Sequence, residues 1–167
     1  MSRFWPQAEY AEEQPYPKII LYTHVLTRAV QSGALVGTGV GGGLLGWRYF
    51  KQTASASSAT TVVLRSSGIG VLVATAALGI GLPGMMWGKE EIEWNDRSWR
   101  LLKNRGQVEC DDWAYGGMTA GAIMSMRGKG GALKSIGSVG IGGVLGLMGY
   151  MGVRYGVKGG WKEETSV

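Results

Sequence analysis

The sequence predicts an all-α integral membrane protein: four short, glycine-rich transmembrane helices with an interfacial helix between spans two and three. Three observations predict it. Only 17% of the 167 residues are charged, and they cluster so as to leave long uncharged windows. Glycine supplies 30 residues, and within the windows many recur at three- and four-residue spacing, which lets helix backbones approach closely. Tryptophan, Lys and Arg stand at the window ends, as they do at lipid headgroups. The mean hydropathy of +0.03 conceals this pattern, because charged connections offset apolar windows. Four prolines without a sustained Gly-X-Y run exclude collagen, and uncharged stretches of this length exclude disorder.

Residues 1–28 form an extended or amphipathic N-terminal segment. The first 17, with Pro6, Pro15, Pro17 and three glutamates, read as extended and surface-bound. They lack the Arg-rich, acid-poor character of a cleaved transit peptide, so any organelle signal is internal. His24 and Arg28 stand one turn apart before the first span and read as interface anchors, with an anionic-lipid or partner contact as the alternative. The transmembrane domain follows over residues 29–155, with spans at 29–47, 66–87, 113–126 and 135–153. The first, second and fourth contain 19, 22 and 19 uncharged residues, enough to cross a ~30 Å hydrocarbon layer at 1.5 Å per residue. The third has 14, which suits a buried or re-entrant segment, or a crossing if Asp112 and Arg127 lie at the interfaces. Pro83 falls near the end of span two, where few backbone bonds are lost. Between spans two and three, the i,i+4 pairs Glu93/Arg97 and Asp96/Arg100, with Ile92 and Trp99 a heptad apart, predict an interfacial helix. Residues 156–167 form a polar tail.

Within the spans, Gly33, Gly37 and Gly41 make a small-xxx-small ladder in span one, with Gly39/Gly43 and Gly42/Gly46 on an adjacent face. Gly117, Gly121 and Ser125 repeat the spacing in span three. Span four differs: Gly137, Gly140, Gly143, Gly146, Gly149 and Gly152 recur every third residue, an inclined groove able to receive several neighbours. Trp87 and Trp113 mark span ends, and Arg48, Arg65, Arg127, Lys129 and Arg154 lie within snorkelling reach of an interface.

Charge orients the spans. Segments 48–65 and 127–134 carry Arg48, Lys51, Arg65, Arg127, Lys129 and Lys134 and no acid, whereas the other side, with both termini, holds eleven Lys/Arg spread over longer segments among all 12 Asp/Glu residues. Basic density in the short loops places them on the negative side of the membrane.

No chemistry is written into these residues. One cysteine, Cys110, forms no internal disulfide, and one histidine makes no zinc site without partners at ligand spacing. Gly37-Thr38-Gly39-Val40-Gly41-Gly42 matches GxGxxG, but no strand precedes it and no acid follows about twenty residues on. The net charge of +5 comes from bases at span ends, which suits lipid phosphate rather than nucleic acid. No acid falls within a predicted span, so proton relays and ion paths lack their usual groups. The expectation is a structural, non-catalytic subunit with no catalytic, cofactor or metal residues.

The stretch Arg105-Gly106, Glu109-Cys110-Asp111-Asp112-Trp113, Gly116-Gly117-Met118-Thr119-Ala120-Gly121, Arg127-Gly128-Lys129 and Gly142-Gly143-Val144-Leu145 resembles the mitochondrial inner-membrane TIM translocase family. The resemblance is specific over roughly residues 105–146 and compositional before that. It implies four short helices in the inner membrane, both termini in the intermembrane space and basic loops in the matrix. The family includes protein-import subunits and a Tim-like accessory subunit of respiratory complex I. Import members carry a cysteine pair and acids within their helices, whereas this chain has Cys110 alone and no long N-terminal receptor segment. The resemblance therefore implies an accessory subunit of NADH:ubiquinone oxidoreductase that supports assembly of the membrane arm. Its implied contacts are other membrane-arm subunits, anionic phospholipids such as cardiolipin, and complex III in a supercomplex. An import-translocase subunit or assembly factor is the alternative.

Overall fold

The computed structural model describes residues 4–51, 56–128, 130–157 and 159. The described residues form five α-helices: α1 (Pro17–Phe50), α2 (Ala56–Met85), α3 (Glu91–Lys103), α4 (Arg105–Arg127) and α5 (Ala132–Met151), the last continued by a π-helical turn at Gly152–Val157. A 3-10 turn at Ala11–Glu13 precedes them.

Two helical stretches, Ala59–Met85 and Ala132–Val157, are long and apolar enough to cross a membrane by length and composition. Four spans were expected. The other two expected spans are helical, within α1 and α4, but do not reach that apolarity. Gln31, Ser32, Thr38 and a run of glycines dilute α1, and α4 opens with Arg105, Gln107, Glu109, Asp111 and Asp112. The two apolar stretches also turn mostly outward: only 17% and 22% of their most apolar windows are buried.

Helix boundaries outrun the uncharged windows. Pro17 at the first helical position, with a pre-set φ, starts α1 a full three turns before residue 29. Residues 17–28 are therefore continuous with the first helix. Asn104 closes α3 and its side chain accepts from the Gln107 N–H at 3.1 Å to start α4. Backbone hydrogen bonding does not stop where charged side chains begin.

In space the order is α1, α2, α5, α4, with α5 also reaching α1. The centre is the crossing of α1, α2 and α5, where Ser67 is fully buried and its Oγ reaches the carbonyls of Ala34 (3.5 Å) and Gly137 (3.4 Å). Helix α3 lies against the start of α1. It buries Trp94, Ser98 and Leu102, one i,i+4 stripe, and Trp94 joins Leu82 and Met86 in an apolar cluster. Ile92 and Trp99, expected on the interfacial face, are exposed and half-buried respectively. Of the expected ion pairs on α3, Asp96–Arg100 closes at 2.9 Å. Glu93 instead takes Lys89 at 2.9 Å, and that hydrogen bond holds its carboxyl below the usual range.

The N-terminal segment is a clasp over α3. Gln14 is buried and bonds the Pro6 carbonyl at 2.9 Å. Trp99 Nε1 donates to the Ala8 carbonyl at 3.1 Å, and Asn95 Nδ2 to that of Glu12 at 2.9 Å.

Candidate functional site

Two arrangements hold the helices together: seams of glycine, and a polar node between α1 and α4. In the first seam, a Cβ added at Gly33 would strike the Gly70 carbonyl, and one at Gly37 the Ser66 carbonyl. Gly41 sits against Val63 Cα, with 3.1 Å to an added Cβ. The α1–α2 contact is thus backbone on backbone over two turns. In the second seam, Gly117 faces the Gly142 carbonyl, Gly121 that of Ser138, and Gly146 that of Trp113. Ser138 Oγ donates across it to the Gly121 carbonyl at 3.0 Å.

The every-third glycines of α5 meet different neighbours in turn. Gly137 meets α2 at the Leu64 carbonyl, Gly140 meets Ala34 of α1 and Val71 of α2, and Gly143 meets Met118 of α4. Gly149 lies 3.3 Å from the Trp113 ring by the same measure, and Gly152 faces open space. The adjacent α1 face of Gly39, Gly42, Gly43 and Gly46 also meets nothing within 4 Å.

The basic and aromatic interface residues do not converge. Arg65 and Arg127 are exposed near one end of the helices, with Arg48 exposed on the last turn of α1. Trp87 is 85% exposed at the end of α2, and Arg154 is half-buried on the π-helical turn. Lys129 and most of the 156–167 tail lie outside the described residues.

The polar node was not anticipated. Asp111 is 1% exposed, inside α4. Arg28 of α1 pairs with its Oδ1 at 2.6 Å, and His24 Nδ1 lies 3.3 Å from its Oδ2. The Arg28 guanidinium also donates to Gln31 Oε1 at 2.6 Å and lies 3.6 Å from Cys110 Sγ. Gln107, with its amide turned, accepts from the same guanidinium. One turn further in, the Thr27 and Tyr115 hydroxyls are 2.8 Å apart. His24 and Arg28 are thus partners of a buried carboxylate that lies in α4, two residues before the expected third span. Windows drawn at residues 29 and 113 excluded both Arg28 and Asp111. The available signal was opposite charges one and two residues before two spans that start on the same side.

Asp111 is buried against a guanidinium and further donors, the partners a buried carboxyl group needs. The node is a fixed bridge between α1 and α4, carried by long side chains where the helices lack a glycine seam. Among the described residues, no three His, Cys, Asp or Glu side chains converge as metal ligands.

The family model described as a protein of unknown function (DUF1757) matches residues 2–154. No curated protein and no solved structure matches the chain.

Proposed function

The chain belongs to the DUF1757 family, and we propose that it is a non-catalytic accessory subunit of the membrane arm of mitochondrial NADH:ubiquinone oxidoreductase. In this reading α1, α2, α4 and α5 all lie in the inner membrane. The first turns of α1 and α4 project together into the intermembrane space, braced by the polar node and capped by α3 and the N-terminal clasp. Both termini share that side, and the acid-free loops face the matrix.

One observation carries the packing role. Many apolar side chains point outward while the seam glycines point inward. Leu35, Val36, Val73, Ile80 and Leu145 are 60–77% exposed, yet the α1–α2 and α4–α5 seams close on glycine against backbone. A soluble fold would invert this arrangement, because apolar burial drives it. In lipid, where association relies on close backbone approach, it is the expected one. The mitochondrial assignment rests on the resemblance over residues 105–146. In this reading the Arg28–Asp111 pair braces α1 against α4 outside the hydrocarbon layer.

Native gels of gently solubilised mitochondria test this. The chain is expected to comigrate with complex I and to be lost from it when the membrane arm fails to assemble. Comigration with an import translocase, or crosslinking to a precursor in transit, overturns the assignment. Labelling that places Arg127 and Lys134 in the intermembrane space overturns the orientation.

A further inference from the structure

A cavity of about 410 Å³ opens between the first turns of α1, the last turns of α2 and helix α3, within the usual size range of small-ligand sites. Its walls are apolar, made by Leu21 and Val25 of α1 with Leu78, Leu82 and Met85 of α2. Leu82 is buried in the cluster with Trp94, whereas Leu78 and Met85 are 40% and 72% exposed, so the chain itself leaves part of this wall uncovered. The polar lining is basic throughout: His24, Arg28 and Arg97, with no Asp or Glu among the described residues that line it. Asp111 stands behind this lining, holding His24 through Nδ1 and Arg28 through its guanidinium without lining the cavity itself. The Arg28 donors are occupied by Asp111, Gln31 and Gln107. Two groups are left over. His24 Nε2 has no hydrogen bond among the described residues, and Arg97 has no ion pair among them, because its expected partner Glu93 takes Lys89 instead.

We propose that this cavity binds a single-chain carboxylic acid, a fatty acid of medium length, with its carboxyl group beside Arg97 and His24 and its chain along the apolar wall. Charge supports the head group. An uncharged apolar guest would cover Leu78 and Met85 and leave Arg97 without a counter-ion, whereas a carboxylate forms a charge-assisted pair with it. The carboxyl group also matches His24, since it accepts a hydrogen bond from a protonated ring or donates one to a neutral ring, whichever partner holds the shared proton. The bond from Asp111 to Nδ1 fixes that ring and leaves Nε2 for the guest. Size supports the single chain. At roughly 30 Å³ per heavy atom, the share of one water in the liquid, 410 Å³ holds about fourteen, those of dodecanoic acid and far fewer than a two-chain phospholipid carries. Position supports an amphiphile. The α2 residues belong to the last turns of the expected second span and His24 precedes the first, so the cavity straddles the boundary between hydrocarbon and water, where head and tail separate. The inference rests on the membrane placement of α2 given above and not on which complex holds the chain.

Gly81 also lines the cavity, and a Cβ there meets nothing within 4 Å, so Gly81→Leu fills the space without striking the backbone. Arg97→Gln removes a cation from an exposed position. The full chain is reconstituted into phosphatidylcholine nanodiscs and photolabelled with a diazirine derivative of dodecanoic acid, and the labelled peptides are read by mass spectrometry. The label is expected on residues 21–28 or 78–85, and dodecanoic acid should displace it at a concentration at least tenfold lower than dodecanol requires. Gly81→Leu should cut labelling at least tenfold while still unfolding cooperatively, and Arg97→Gln should lose the preference for the acid over the alcohol. Equal displacement by dodecanol overturns the carboxyl recognition, and unchanged labelling in Gly81→Leu overturns the site. Displacement by phosphatidylglycerol at the concentration that suffices for dodecanoic acid overturns the single-chain ligand. Failure of the chain to enter the nanodiscs overturns the membrane reading and this proposal with it, a result distinct from insertion without labelling, which overturns this proposal alone.

Discussion

Neighbouring residues Gly116 and Gly117 provide a controlled test of the glycine seam. At Gly117 an added Cβ would strike the Gly142 carbonyl and lie 3.0 Å from the Gly146 nitrogen, both backbone atoms that cannot rotate away. Restoring ordinary contact of about 3.4 Å requires α4 and α5 to part by roughly 1 Å. A gap of that size forfeits about a quarter to a half of each atomic contact, and each contact is worth ~0.1–0.2 kcal/mol. Over roughly forty atom pairs along the seam, Gly117→Ala then loses about 2 kcal/mol. Gly116→Ala sits one position away on the same helix, with nothing near its Cβ. It gains the same helix propensity without the clash, so the difference between the two variants isolates the seam. Denaturant titration in mild detergent, followed by tryptophan fluorescence, should place Gly117→Ala about 2 kcal/mol below Gly116→Ala, roughly a thirtyfold change in the folding equilibrium. Equal stability of the two variants would refute close backbone packing as the role of this glycine.

Two further outcomes are expected. Asp111→Ala leaves the Arg28 guanidinium beside a buried void and should destabilise by about 3 kcal/mol, the low end of the range because Arg28 is 28% exposed. The double variant Arg28→Met/Asp111→Leu should recover most of that loss in the same titration, since an apolar pair carries no desolvation cost. Trp99→Phe removes the indole donor to the Ala8 carbonyl and should weaken the N-terminal clasp by about 1 kcal/mol. Limited proteolysis at Glu9, Glu12 and Glu13 reads this as faster cleavage, with the helices unaffected.

Much of the architecture follows from local pattern. An uncharged window sets a helix, and i,i+4 glycines set a thin face on it, because 3.6 residues per turn brings those positions together. That reasoning places Gly33, Gly37 and Gly41 on one face of α1 without naming what the face meets. It placed Gly39 and Gly43 equally well, yet the first set lies on α2 and the second on open space. Spacing alone does not distinguish two glycine faces of one helix. The helix ends were less legible, because Pro17 and Asn104 set them through backbone geometry inside charged stretches.

The sequence by itself determined the helical class, the thinning of helices by glycine and the division of charge between the two ends, since each depends on residues near one another in the chain. Tertiary structure decided the partners. It set Asp111 against Arg28, 83 residues apart, and turned successive α5 glycines toward α2, α1 and α4. The physical reason is range. Helix formation and amphipathicity are settled within a few turns, whereas pairing of a buried charge is settled by which helices cross, and no local periodicity records that crossing.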